Sequence, residues 1–166
     1  MSHAIRRATH GDVPSLAAVL LGVVRGGASV GFMADVTPAD AEQFWSAHLA
    51  NPSNVVLVAT DGRAVIGTGS LVLAGLPNGR HRAEVAKLLV RPDAQGHGVG
   101  RELLAALEVE ARAHGRRTLV LDTVSGSPAQ KLYESAGWTV VGEIDDYADL
   151  PDGTPSPTTY LTKRLA

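Results

Sequence analysis

The chain has no cysteine, which excludes disulfides, thiolate metal sites and a cysteine nucleophile, and fits a cytoplasmic protein. It has no excess of either charge. Fifteen Lys and Arg stand against seventeen Asp and Glu, a formal −2. That balance supplies no broad electrostatic footprint for nucleic acid or an anionic membrane. No apolar run approaches the length that crosses a bilayer, and the start, "MSHAIRRATHGD", has no apolar signal core. The six histidines, His3, His10, His48, His81, His97 and His114, include no pair at helical or strand ligand spacing, so no metal is expected.

What is present is an alternation of strand-like and helix-like runs in 166 residues, enough for one domain with a substantial core. "AIRRAT" reads as a first strand. A helix follows from "DVPSLAAVLL", with Asp12 as N-cap and Pro14 in its first turn. "GGASVGF" reads as a flexible connection, and a second helix starts at Thr37-Pro38. From Asn54 the period changes to two β-rich runs around Asp61-Gly62, a hairpin signal. "AEVAKLLV" is a further strand. The long amphipathic helix after it places Val99, Leu103, Leu107 and Ala111 on one stripe and ends at Gly115.

"RTLVLDT" is nearly continuous in apolar residues, as suits a strand buried on both faces. A short helix capped by Ser127 precedes the strand "WTVVGEI". A Pro/Gly-rich insertion then leads to the last strand, "TTYLTKRL". The pattern predicts a single α/β domain (1–166) of mixed sheet, with antiparallel hairpins first and β–α–β–α–β after.

Glycines at the start of the long helix, in "RPDAQGHGVGRELL", let backbone approach a ligand, and successive N–H groups at a helix start favour phosphate. A Walker loop needs Gly-Lys-Ser/Thr, but Arg101-Glu102 follows Gly100. A dinucleotide fingerprint needs a third glycine where Arg101 or Leu103 stands. The spacing Gln/Arg-x-x-Gly-x-Gly/Ala does fit, with Gln95, Gly98 and Gly100.

That motif, with the downstream block "SPAQKLYESAGW", resembles the GCN5-related N-acetyltransferase (GNAT) family from Ala4 to the final strand. The resemblance implies a mixed, mostly antiparallel sheet flanked by about four helices, and acetyl-CoA as donor. It places acetyl-CoA on Leu88, Leu89, Val90 and the loop Gln95, Gly96, His97, Gly98, Val99, Gly100 and Arg101. A backbone N–H near Leu88 to Val90 would hold the oxyanion. The asparagine common at the start of the second block is absent, and Ser127 stands nearby. "GASVGFM", "HRAEVAKLLVRP", "LDTVSGSPAQKLY" and "VGEIDDYADLPDGTPSPTTY" are similar to the branch containing the tabtoxin-resistance acetyltransferase, which acetylates a small amino-acid-like toxin.

Amine acetylation requires removal of a proton from the amine and reprotonation of the leaving thiolate. Three residues are candidates. Glu84 shares a strand face with Ala86 and Leu88 by alternation. On pattern alone it is either a cleft carboxylate or a solvated strand end beside Arg80 or Arg82. Asp122 ends an apolar strand, where a functional group and a turn cap are equally in keeping. The resemblance makes this pair the base. Tyr133 is either a core aromatic or, at the family's matching position, the general acid. Lys87 reads as a structural or cleft charge, and Phe32 as a wall of the acceptor cleft or part of a disordered connection. Asp145, Asp146, Asp149 and Asp152 form either an acidic rim or a solvated loop.

The expected function is acetyl-CoA-dependent direct transfer of acetyl to the primary amine of a small molecule, an amino-acid-like metabolite or an antibiotic or toxin. The alternatives are a protein or peptide N-acetyltransferase and a non-catalytic acyl-CoA sensor. A homodimer through edge strands stays open.

Overall fold

The computed structural model describes residues 3–166. Seven strands form one sheet: β1 (Ala4–Arg7), β2 (Asn54–Thr60), β3 (Val65–Leu73), β4 (Arg82–Val90), β5 (Thr118–Val124), β6 (Thr139–Asp149) and β7 (Pro155–Arg164). Their spatial order is β1-β2-β3-β4-β5-β7-β6. All neighbours pair antiparallel except β4 and β5, which are parallel because a helix, α3 (Val99–Ala113), crosses between them. The mixed, mostly antiparallel sheet expected from the sequence is therefore present. Helices α1 (Val13–Arg25), α2 (Pro38–Ala50), α3 and α4 (Pro128–Ser135) complete it.

Two cores lie on the two faces of the sheet. On one, α3 turns its stripe inward. Val99, Leu103, Leu107 and Ala111 are each at most 1% exposed. Burial of each such leucine contributes roughly 1.5–3 kcal/mol. The helix approaches closely because β3 has glycine beneath it: a Cβ at Gly67 would lie 3.0 Å from Val99 Cγ1, and one at Gly69 would lie 2.8 Å from Leu107 Cδ1. On the other face α1 and α2 bury Leu16, Leu20, Val24 and Trp45 against Val56, Val58 and Leu89.

Local chemistry explains most element ends. Thr37 caps α2, its hydroxyl accepting from Asp40 N at 3.1 Å, and Ser127 caps α4 by accepting from Gln130 N at 3.2 Å. Asp12 differs from the expectation. It occupies the N-cap position of α1, but its carboxylate turns back to accept from Thr9 N at 2.8 Å and from both terminal nitrogens of Arg6 at 2.8 Å. A charged donor pair outcompetes the helix's own N–H groups for this acceptor.

The C-terminal region also departs from the sequence reading. The segment read as an insertion is mostly strand. β6 runs on to Asp149 and β7 starts at Pro155, so only a tight turn separates them. Register shifts between Val140 and Gly142 and between Ile144 and Ala148 absorb the extra residues, with Asp146 at φ 47° in the second. Asp145, Asp146 and Asp149 are exposed strand residues, while Asp152 closes the turn by accepting from Thr154 N at 2.9 Å.

The connection after α1, of which residues 26–32 were expected to be flexible, is bonded across the molecule through Ser29 and, just beyond that stretch, Ala34. Ala34 N donates to Pro151 O at 3.0 Å, and Ser29 Oγ donates to Asp149 O at 3.4 Å. The loop after α1 and the β6–β7 turn thus meet.

Candidate active site

The parallel β4–β5 pairing is short. It covers Arg82↔Thr118, Ala83↔Leu119 and Glu84↔Val120, and stops there, although both strands run on. Backbone groups beyond Glu84 and Val120 on the facing edges therefore need another partner.

Beside that point β4 carries a bulge. Thr68 pairs with Leu89 and Ser70 with Ala86, so Gly69 alone opposes Lys87 and Leu88. Lys87 takes φ 52°, a left-handed conformation that a lysine seldom adopts. The extra residue changes the phase of the strand. Ala83 and Val85 pack in the α3-side core, and so do Leu88 and Val90, whereas Leu89 packs on the α1/α2 side. Glu84 therefore does not share a face with Leu88, as simple alternation predicted.

Glu84 is exposed, and its neighbours are Asp122 and Lys87 rather than the arginines of the preceding turn. Burial of its surroundings and the charge of Asp122 raise its carboxyl above the ordinary range, and Lys87 opposes the rise. Asp122 does not end its strand: β5 continues to Val124, and Asp122 pairs with Tyr160 in the β5–β7 ladder. Its carboxylate accepts from Thr158 Oγ1 at 3.1 Å, so it is held by the sheet and is not a turn cap.

Tyr133 lies in the α3-side core, 6% exposed, with its ring 5.8 Å from Trp138. Burial first, and the charge of Asp122 second, push its hydroxyl up to about 12. Glu84 and Tyr133 thus approach from opposite sides of the sheet, and the charge of Asp122 reaches both. The structure sets Glu84 and Asp122 beside each other and puts Tyr133 within reach of the Asp122 charge, without contact between Glu84 and Tyr133.

The glycine loop sits where β4 ends. Gln95 Nε2 donates to Val90 O at 3.0 Å and ties the loop to the strand. Gly96 and Gly98 have φ 80° and 85°, and Gly98 is the residue before the first turn of α3. Nothing lies within 4 Å of a Cβ at Gly96, and only Glu102 Oε1, at 3.9 Å, does so at Gly98. The loop backbone and the helix start are open on this side, as a pyrophosphate cradle requires. At Gly100 a Cβ would press on Leu132 of α4 at 3.3 Å, which keeps α4 against the helix start.

Val99 is buried beneath the cradle, and His97 is exposed. Arg101 Nη2 donates to Ser135 Oγ at 2.6 Å, so its guanidinium braces α4. The Ser127 hydroxyl is occupied as the cap of α4 and lies 3.4 Å from Thr123 Oγ1. Phe32 packs edge-on against Phe44 of α2 at 5.3 Å, on the α1/α2 side of the sheet with Lys87.

Two residues escaped the sequence reading. Tyr160 and Tyr147 join hydroxyls at 2.6 Å. That bond chiefly raises Tyr160 to about 12, with Asp122 and Glu84 contributing. Alternation in "TTYLTKRL" puts Tyr160 on one face with Thr158, but only the register places it opposite Asp122.

The pattern that defines the Acetyltransferase (GNAT) family matches residues 28–138. Among relatives, the chain is 32% identical over 122 residues to the IAA acetyltransferase of Azospirillum brasilense, covering 72% of this chain and 78% of that one. Among solved structures it is similar to a ribosomal-protein-alanine N-acetyltransferase from Brucella melitensis, with TM-score 0.81 and 26% identity over 98% of this chain and 99% of that chain. A phosphinothricin acetyltransferase from Sinorhizobium meliloti, in complex with acetyl-CoA, shares the fold. Its TM-score is 0.85 at 22% identity, covering 100% of this chain and 90% of that one.

Proposed function

This chain belongs to the GNAT family of acetyltransferases, and from that premise we propose that it is a single domain transferring acetyl from acetyl-CoA directly to the primary amine of a small molecule. The observation that supports the reading is that β4–β5 pairing stops at Glu84, with the charge of Asp122 acting on both Glu84 and Tyr133.

The residues present fit the donor. The open glycines at Gly96 and Gly98 and the start of α3 would hold its pyrophosphate, and the free edges of β4 and β5 would take its arm. Bound there, acetyl-CoA supplies an acyl group already activated as a thioester. Glu84, with its raised carboxyl, is matched to accept a proton from an ammonium, and Asp122 keeps the incoming charge near it. Tyr133 stays protonated at neutral pH and can give its proton to a departing sulfur.

The hydrogen bond from Ala34 N to Pro151 O bears on acceptor size. The loop that carries Phe32 and the β6–β7 turn are joined on the acceptor side, which supports a compact acceptor over a peptide threaded past them. The names of the relatives span both kinds of acceptor.

Thiol release from acetyl-CoA across amino acids, dipeptides, polyamines, aminoglycosides and peptides tests the reading. Turnover with a small primary amine is expected. Turnover with peptides alone overturns the small-molecule acceptor, and acetyl-CoA binding without thiol release from any amine overturns the enzymatic reading.

A further inference from the structure

The Lys87 side chain has no role in the chemistry above, yet its placement is costly. A left-handed backbone at a branch-free but bulky residue carries about 1 kcal/mol of strain or more. An unbulged β4 would alternate Lys87 with Glu84 and send it toward the α3-side core with Val85. The bulge instead turns it to the α1/α2 side. There Nζ lies 5.5 Å from the centroid of the Phe44 ring, and a Cβ at Gly31 would stand 3.5 Å from it. Gly31, at φ 92°, leaves that space open.

Lys87 is half-buried and makes no ion pair with any described residue; the bridges are formed by His3, Arg6, Arg7, Arg91, His114 and Lys163. Glu84 and Asp122 act on it from beyond contact distance, and burial lowers its tendency to hold a proton while their charges oppose this. An ammonium held against an aromatic face, short of a contacting carboxylate, is a site for an anion. Next to it stand two carboxylates suited to an ammonium. The face thus presents positive and negative poles side by side.

We propose that the acceptor is a zwitterion, a primary amine that also bears a carboxylate or equivalent anion, with the anion docked on Lys87 and the amine turned to Glu84. This rests on the small-amine reading above and narrows its acceptor. Lys87 is then the residue that separates amino acids from plain amines. A lysine serving only as a countercharge to Glu84 would affect every acceptor alike, whereas an anion dock acts on the acidic acceptor alone.

The test pairs each proteinogenic α-amino acid with its carboxamide and its decarboxylated amine, and measures kcat/KM for the best-turned-over set. Wild type is expected to favour the acid by about tenfold to a hundredfold, chiefly in KM. Lys87→Met is expected to bring that ratio close to one, and Lys87→Arg to restore part of it. Calorimetric acetyl-CoA binding and thermal melting of both variants report that they are folded. A wild-type ratio near one, or a ratio that survives in Lys87→Met, overturns the zwitterion while leaving amine acetylation standing. Absence of thiol release from every amine overturns the parent reading and this inference with it.

Discussion

Asp122 of β5 raises the carboxyl of Glu84 on β4, second only to burial, from a strand that no longer pairs with β4 at that level. Removing the Asp122 charge therefore lowers the Glu84 pKa, and Glu84 becomes a competent base at lower pH. In Asp122→Asn the acidic limb of the kcat/KM profile is expected to move to lower pH, with a smaller plateau. Glu84→Gln is expected to lose about a hundredfold or more of kcat/KM. A profile whose acidic limb stays in place in Asp122→Asn would show that Glu84 is not the titrating base.

Tyr133 presents a second case. Its ring packs on Trp138, so Tyr133→Phe keeps the packing and removes only the hydroxyl. The expected result is a fall in kcat of about a hundredfold, with acetyl-CoA affinity by calorimetry near that of wild type. Because burial holds the hydroxyl at about 12, no basic limb below that value should be assignable to it. Unchanged turnover in this variant would leave Tyr133 as a core aromatic.

Gly67 separates packing from chemistry. A Cβ there would meet not only Val99 and Leu103 but also Leu89 O at 3.1 Å, and backbone cannot yield as a flexible side chain can. Gly67→Ala is expected to lower stability by about 1–3 kcal/mol. It should also weaken acetyl-CoA binding, since α3 carries the cradle at its start. Urea unfolding and calorimetry on the one variant check both.

Asp12 predicts the acid behaviour of the fold. The Arg6 hydrogen bonds, against burial, pull its carboxyl from 3.8 to about 2. A depressed carboxyl stabilises the folded state above its unfolded pKa, and the contribution fades as pH falls toward about 2. Asp12→Asn is expected to cost about 2 kcal/mol at neutral pH. The gap from wild type, followed by denaturant midpoints, should narrow as pH drops below 4 or so. A gap independent of pH would assign the loss to packing.

The parts of the fold set by local chemistry were legible in the sequence. Thr37-Pro38, Ser127-Pro128 and Asp61-Gly62 punctuate the elements where the structure does, and the α3 stripe is the one its spacing predicts. What escaped depends on partners distant in sequence. The bulge at Lys87 exists because Gly69, on another strand, opposes two residues. The second half of the C-terminal hairpin reads as an insertion because Pro, Gly and Asp are turn formers, and pairing along β7 overrides them. Glu84, Asp122 and Tyr133 were each legible as candidates. Their placement, and that of Tyr160 opposite Asp122, follow from strand order, register and the seating of α4, none of which is local in sequence.

Strand order also bears on how the molecule is made. β7 lies between β5 and β6, although it is synthesised after both. Until residues 155–164 leave the ribosome, β5 offers an open edge and β6 has no neighbour in the sheet. Asp122 thus lacks Thr158 until β7 slots in. The face that carries Asp122 is consequently completed only once β7 has joined the sheet. A ribosome stalled before residue 155 would present a sheet that lacks β7, with an exposed strand edge prone to aggregation.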